Sequence, residues 1–333
     1  MWVTSSTNQV LKPNAIALGN FDGIHRGHQQ VIQPILRYVN HPLDLAPSVH
    51  KQQNKTAEHK ACVPTVVSFN PHPQEFFTGV TSKLLTPLPE KIQELERLGI
   101  KQLVLLPFDK ILAQFSPQEF VAKILVEQLQ VSFISVGEDF RFGHRRTGTA
   151  KDLKAIASQF GVEVSIASLE TTPKNNHEKQ IRISSSHLRT ALQKGDIPLA
   201  NRLLGRAYSL TGKVVQGARL GSKIGFPTAN LQIPPNKFLP RRGVYLVRVA
   251  PTLRGVMNVG CRPTVDGKTT TVEVHLLDWS GNLYGKTITA SLYRFMRSEQ
   301  KFSSLEALKA TIAEDCQLAR TLFQSNFTNN STY

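Results

Sequence analysis

Two histidines three residues apart, His25 and His28, lie in the stretch Gly19–His28, GNFDGIHRGH. An apolar run, Ala15–Leu18, precedes it and an amphipathic segment, Gln29–Arg37, follows. Strand, glycine-rich turn and helix start is the local order that aims backbone N–H groups at a phosphate. At the first turn of a helix, three-residue spacing sets both imidazoles on one side. Gly27 between them gives a ligand room to approach the backbone. Charged or neutral, an imidazole can donate to a phosphate oxygen. The stretch holds no cysteine, Walker lysine or serine nucleophile, so it suits electrostatic handling of a nucleoside triphosphate rather than covalent catalysis. An isolated HxxH is more often structural; here Gly19, Phe21, Asp22, Gly23 and Gly27 agree with the preceding run on one nucleotide-binding turn.

Other segments carry chemistry at comparable turns. Ser68–Pro73, SFNPHP, has two prolines that stiffen an extended turn and present Asn70 and His72. Val136–Gly143, VGEDFRFG, gathers Asp139, Phe140 and Arg141, an aromatic face for a flat ring and a guanidinium for a phosphate. Ile183–Arg189, ISSSHLR, places hydroxyls ahead of a helix, which by itself reads as a cluster of N-caps. Gly217–Asn230, GARLGSKIGFPTAN, is a second glycine-rich element containing Gly217, Lys223 and Gly225. At its end Thr228 and Asn230, two apart, point to one side of an extended chain. A hydroxyl and an amide oxygen suit a hard cation such as Mg2+ among phosphate oxygens. In Thr271–Leu276, TVEVHL, alternation puts Thr271, Glu273 and His275 on one face. A carboxylate there could act as general base for phosphoryl transfer; by spacing alone a solvent-facing glutamate is the simpler reading.

These segments need a scaffold. The chain has 333 residues, enough for two cores, and a formal net charge of +16, which calls for an anionic partner. Strand patterns at Ala15–Leu18, Thr65–Phe69, Gln102–Leu106, Phe133–Val136 and Val162–Ala167 alternate with helical patterns at Gln29–Arg37, Glu90–Leu98, Pro117–Gln128 and Ala150–Phe160. That alternation predicts a parallel sheet wrapped by helices, with ligands beyond the carboxyl ends of the strands. The polar stretch 41–60 interrupts it and reads as a mobile insertion. Residues 191–204 read as a helical linker. Beyond them, strand patterns at Tyr208–Val215, Val244–Val249, Arg254–Val259, Thr271–Leu277 and Lys286–Phe295 predict an antiparallel barrel, and Leu305–Arg320 a closing helix. The expected domains are 1–190 and 205–325, with a disordered tail at 326–333. Gly281–Thr287, GNLYGKT, imitates a P-loop but joins two strand patterns, so it is read as a turn and not a nucleotide site. Cys62, Cys261 and Cys316 show no metal or redox spacing. The first ten residues carry no secretory pattern, so a cytoplasmic chain is expected. No apolar run approaches the roughly 20 residues of a membrane span.

On these motifs the chain resembles a known family. His25-Arg26-Gly27-His28 is similar to the HxGH signature of nucleotidyltransferases, and with GNFDG ahead of it resembles the adenylyltransferase module of bacterial FAD synthetases. The SFNPHP and GEDFRFG stretches resemble that module's F-x-PHP and GxDFxFG motifs, and Ile183–Arg189 its ISST-x-x-R signature, with Ser186 in place of threonine. Pro227–Asn230 and the stretch around Glu273 resemble riboflavin kinase. The resemblance implies a bifunctional riboflavin kinase/FMN adenylyltransferase: a Rossmann-like nucleotidyltransferase domain, then an antiparallel barrel kinase domain. It implies ATP, riboflavin and FMN as substrates and Mg2+ as cofactor. It gives His25, His28, Ser184, Ser185 and Arg189 to the triphosphate; Asn70, His72, Asp139, Phe140 and Arg141 to the flavin; Gly217, Lys223 and Gly225 to the kinase's nucleotide; Thr228 and Asn230 to the metal; and Glu273 to base catalysis. The expected partners are small molecules, without nucleic acid or membrane, in a monomer or weak homo-oligomer. Two alternatives were weighed: an adenylyltransferase for another acceptor, which would have no use for the second half, and a basic nucleic-acid-binding protein, which would show aromatics interleaved with Lys and Arg along a groove.

Overall fold

The computed structural model describes residues 1–40, 62–172, 180–217, 221, 224–249, 252–264 and 267–327, and of 262–264, 267–269 and 326–327 the backbone only. The expected insertion at 41–60, Lys223 and residues 328–333 of the tail lie outside the described residues. The chain divides into two compact units, Met1–Ile183 and Ser184–Tyr333.

The first unit is built on six parallel strands in the order β1-β4-β3-β2-β5-β8. They are β1 (Trp2–Thr4), β2 (Asn14–Leu18), β3 (Val63–Asn70), β4 (Gln102–Pro107), β5 (Val131–Gly137) and β8 (Glu163–Ala167), with a small antiparallel pair, β6 (Arg141–Phe142) and β7 (Gly148–Thr149), between the last two. All five residues of β2 are buried, as a strand covered on both faces requires. Alternation sorts them. Ala15 and Ala17 face helix α1 (Arg26–Asn40), where their small size admits Val31, Ile32 and Ile35. Ile16 and Leu18 face the other layer. That layer holds α4 (Pro117–Glu119), which runs on as a π-helix over Phe120–Gln128, and α5 (Ala150–Ser158). Helices α2 (Pro73–Thr78) and α3 (Leu88–Arg97) complete the unit. Each fully buried Val, Leu or Ile contributes about 1.5–3 kcal/mol.

The amino ends of β2, β3 and β4 are tied by buried polar groups. Asn14 Oδ1 accepts from Thr65 Oγ1 and Gln102 Nε2, both at 2.8 Å, and Asn14 Nδ2 donates to the Leu129 carbonyl at 2.8 Å. A network satisfied in this way fixes register and leaves nothing free for a ligand. The chemistry-bearing turns leave from the opposite, carboxyl end.

The second unit is a closed antiparallel barrel in the order β10-β13-β12-β11-β14-β9. Its strands are β9 (Tyr208–Val215), β10 (Ala229–Gln232), β11 (Gly243–Val249), β12 (Leu253–Thr264), β13 (Gly267–Leu276) and β14 (Thr287–Ser298). The sequence patterns predict five of these; β10, only four residues long, is the one that closes the barrel by pairing with both β9 and β13. Helix α8 (Leu305–Phe327) packs Cys316, Ala319 and Phe323 against Val244, Leu246 and Val256. Residues 191–204 form no single helix. α6 (Ser185–Lys194) ends at left-handed Gly195, φ 79°, and Asp196 caps α7 (Ile197–Leu204). Asn201 ties α7 to the barrel, donating to the Leu292 carbonyl at 2.9 Å and accepting from Tyr208 N–H at 2.8 Å.

Candidate active sites

In the first unit the turn Gly19–His25 connects β2 to α1. Phe21 and Ile24 adopt left-handed φ of 49° and 45°, and Gly23 takes 94°. For a β-branched residue such as Ile24 that is an outlier the surroundings must hold in place. Gly23 N–H donates to Thr86 Oγ1 at 3.0 Å, while Thr86 N–H donates to Asp22 Oδ1 at 3.1 Å. Asp22 therefore braces the turn. His25 is buried, and its Nδ1 accepts the His28 N–H at 3.2 Å, so the imidazole caps α1. An accepting Nδ1 puts the proton of neutral His25 on Nε2. The two imidazoles stack with centroids 3.7 Å apart and planes 14° apart. At Gly27 a Cβ would meet the His25 ring at 3.3 Å and the Ile183 carbonyl at 3.4 Å. The glycine makes room for the His25 ring.

Beside this turn, at the ends of β3 and β4, is a cavity of about 760 Å³. Phe69, Phe76, Phe77, Phe108 and Phe142 supply its aromatic walls, and Asn20, His72, Arg141 and Arg146 its polar ones. A cavity of this size and composition accepts a flat heteroaromatic ring with an anionic tail. His72 caps α2, its Nδ1 accepting the Gln74 N–H at 3.0 Å. Burial pushes its imidazole below the usual histidine value, with Glu75 and Asp22 pulling it back up. Arg145 and Arg146 both adopt left-handed φ, 51° and 59°, in the loop after Gly143. Of the flavin residues predicted, His72 and Arg141 line the cavity; Asn70, Asp139 and Phe140 do not. Asp139 is ion-paired with Arg182, and Phe140 stacks on Phe142 at 5.8 Å. Phe76, Phe77 and Phe108 carry no sequence signal of their own, because α2 is only six residues long and Phe108 lies just past a strand end.

Ser184, Ser185 and Arg189 belong to the second unit. Ser184 Oγ accepts the His187 N–H at 3.3 Å and so caps α6. The Arg189 guanidinium lies 4.9 Å from the Phe238 ring centroid.

In the barrel, the two faces of β13 serve two cavities. Glu273 and His275 line one of about 250 Å³, with Phe226, Asn258, Arg297 and Glu299. Val274 and Leu276 line the other, about 320 Å³, with Trp279 and Tyr284. Thr228 lines both. Its Oγ1 is 3.5 Å from Glu273 Oε2, and Asn230 pairs in register with Glu273 across β10 and β13. His275 Nδ1 lies 2.8 Å from the Pro227 carbonyl, which can only accept, so this histidine carries its proton on Nδ1 and anchors the residue before Thr228. A Cβ at Gly217 would fall 2.3 Å from Asn230 Nδ2; glycine is what lets the amide lie there. Gly225 takes a left-handed turn, φ 90°. The hydroxyl, amide and carboxylate form an oxygen-donor group, the kind a phosphate-borne Mg2+ accepts. Among the described residues no group of three or more His, Cys, Asp or Glu could hold a metal by itself. The segment Gly281–Tyr284 lies between β13 and β14, so it is the turn expected and no P-loop; read from sequence as no nucleotide site, it nonetheless lines the second cavity.

A histidine turn at the carboxyl end of a parallel sheet, in one chain with a barrel whose Thr228 separates two cavities, defines a transferase with two heads. The FAD synthetase family profile matches residues 7–42 and 47–187, and the riboflavin kinase profile residues 204–323. The bifunctional riboflavin kinase/FMN adenylyltransferase of Escherichia coli (strain K12) is 37% identical over 314 residues, covering 92% of each chain. That of Pseudomonas fluorescens is 38% identical over 311 residues, 92% of this chain and 91% of its own. A solved structure described as the macrolide-efflux protein of Streptococcus pneumoniae superposes with a TM-score of 0.79 at 27% identity, over 96% of this chain and 98% of its own. Efflux is named for that protein; in this chain no helix among the described residues is long and apolar enough to cross a membrane. The chain belongs to the bifunctional riboflavin kinase/FMN adenylyltransferase family.

Proposed function

We propose that the barrel unit phosphorylates riboflavin from ATP and that the sheet unit adenylylates the resulting FMN to FAD, with the residues acting as follows. The observation that carries the kinase assignment is Thr228 on the wall between two cavities, with Glu273 3.5 Å away. Riboflavin occupies the cavity walled by Phe226 and α8, and the nucleotide the one walled by Trp279 and Tyr284. Glu273 takes the proton of the ribityl hydroxyl as its oxygen bonds to the γ-phosphorus, and ADP leaves. Thr228 and Asn230 would hold Mg2+ by their side-chain oxygens, and the cation would offset the charge of the transferred phosphoryl group. Gly217 and Gly225 belong to the flap over that nucleotide, and the assignment of Lys223 to the nucleotide rests on its sequence motif alone.

For the second reaction, an FMN phosphate oxygen attacks the α-phosphorus of ATP and pyrophosphate leaves. FMN is already an anion, so no general base is needed. The Nε2–H of His25, with His28, donates to the triphosphate as charge builds on it. Gly19, Phe21, Asp22, Gly23 and Gly27 shape that turn. The aromatic cavity beside His72 and Arg141 suits the isoalloxazine and phosphate of FMN; Asn70, Asp139 and Phe140 support it from outside. The assignment of Ser184, Ser185 and Arg189 to the triphosphate rests on their sequence motif. The reactive domains are taken as 1–190 and 205–325, the first reaching seven residues past the compact unit Met1–Ile183. The substrates are small molecules, and the enzyme is taken to work in the cytoplasm, as a monomer or weak homo-oligomer, without nucleic acid or membrane.

Reciprocal variants test the assignment. Glu273→Ala abolishes FMN formation but still converts supplied FMN to FAD; His28→Ala does the reverse. If either change in a folded protein abolished both reactions, the two-site reading would fail.

A further inference from the structure

Lys91 has no part in the chemistry above, yet only 9% of it is exposed. Lysine is rarely buried unless paired, because its ammonium loses its hydration. On α3 it neighbours Ile92 and Leu95, which pack into the apolar cluster under α1. Its Nζ reaches out of that cluster and donates to the Asn20 carbonyl at 2.9 Å. The same carbonyl accepts from Ser68 Oγ at 3.3 Å. Burial lowers the Lys91 ammonium below the usual lysine value, and the Asp22 carboxylate counters this.

Asn20 sits between two functional features. It lines the aromatic cavity, and the left-handed residues Phe21 and Ile24 follow it on the way to His25. A turn in sparsely populated conformations relaxes unless fixed at its start. Thr86 holds its middle through Asp22 and Gly23; its start is held at the Asn20 carbonyl. An apolar residue at position 91 would fill the same space beside Ile92 without reaching that oxygen.

We propose that Lys91 is a positioning residue of the adenylyltransferase: acting through the Asn20 carbonyl, it fixes the turn Asn20–Ile24 between the FMN cavity and the histidine pair. The inference rests on the reading that Met1–Ile183 adenylylates FMN. Its effect falls first on FMN, since Asn20 lines that cavity, and leaves the barrel's reaction alone.

The test is steady-state kinetics of both reactions on full-length Lys91→Met, which keeps the apolar stem and removes the ammonium, and on Lys91→Arg, which restores a cationic donor. Loss of a charge-assisted hydrogen bond predicts a fall in kcat/KM for FMN of about ten- to hundred-fold in Lys91→Met, carried mainly by KM. Lys91→Arg recovers part of it, and riboflavin phosphorylation stays within about twofold of wild type in both. A folded Lys91→Met with wild-type KM for FMN overturns the proposal. So does a parallel loss of kinase activity, and so does failure of both variants to fold, which would make Lys91 a structural requirement of the unit. If the wild-type protein itself makes no FAD from FMN, it is the underlying reading that fails.

Discussion

Replacing Gly217 by alanine separates stability from catalysis in the barrel. A Cβ at this position would lie 2.3, 2.5 and 2.6 Å from Nδ2, Cγ and Oδ1 of Asn230. An ordinary contact between such atoms is about 3.5 Å, so the amide must retreat by about 1 Å. Asn230 can do so by rotating its short side chain, which keeps the overpacking cost near the low end, about 1 kcal/mol. Reduced freedom of the unfolded chain offsets about 0.4–1 kcal/mol of that. The melting temperature should therefore hardly move. The amide, however, is the group that faces Glu273 in register and, in the proposed mechanism, the metal-bearing phosphates. A misplacement of about 1 Å in a phosphate-positioning group costs on the order of a hundred-fold in rate. Riboflavin phosphorylation, followed by separating FMN from riboflavin, should fall by about that factor, while conversion of supplied FMN to FAD holds. A Gly217→Ala protein whose kinase rate stays within threefold of wild type would refute the reasoning, because the amide's position would then not matter.

Asp315 on α8 and Arg297 on β14 form a two-toothed ion pair, with contacts of 2.9, 3.1 and 2.7 Å, at the wall of the cavity given to riboflavin. Asp315→Ala should cost about 2–3 kcal/mol, less than a fully buried pair because a quarter of the Arg297 side chain meets water, and lower the barrel's melting temperature by about 5–10 °C in calorimetry. Burial pushes the Cys316 thiol up to about 11, from 9.0. At pH 8 its thiolate fraction is then about a hundred-fold below that of an unperturbed thiol, so peptide mass spectrometry should find Cys316 alkylated by iodoacetamide in urea but not in the folded protein, with labelling rising as the pH approaches 11. His72, held below the usual histidine value by burial, is largely neutral at pH 7, so the effect of His72→Gln on the KM for FMN should grow as the pH is lowered and the wild-type imidazole charges.

Much of this arrangement was legible in the sequence where glycine, proline and alternation leave strong marks. The strand–turn–helix order around His25 and His28 reads directly, because the apolar run Ala15–Leu18 gives way at Gly19 to a glycine-rich turn. Short elements left weaker marks. β10 is four residues of mixed polarity behind a Gly/Pro flap, so the strand that closes the barrel carries no period of its own. β1, with three residues, and α2, with six, are also short, and α2 carries Phe76 and Phe77. Lys91 sits in a polar-looking stretch, LPEKIQELER, where nothing local says that one lysine turns inward. Gly281–Tyr284 reads as a failed P-loop, and only the folded barrel brings it to the cavity it shares with Thr228. Each of these depends on contacts between distant segments, which no local pattern records.

The most direct test is a time course with purified protein, riboflavin, ATP and Mg2+, with the flavins resolved by chromatography. The account predicts that FMN appears first, that FAD follows with release of pyrophosphate, and that FMN supplied in place of riboflavin yields FAD without a lag. Neither FMN nor FAD from the folded protein, or FAD with no FMN preceding it, would contradict it.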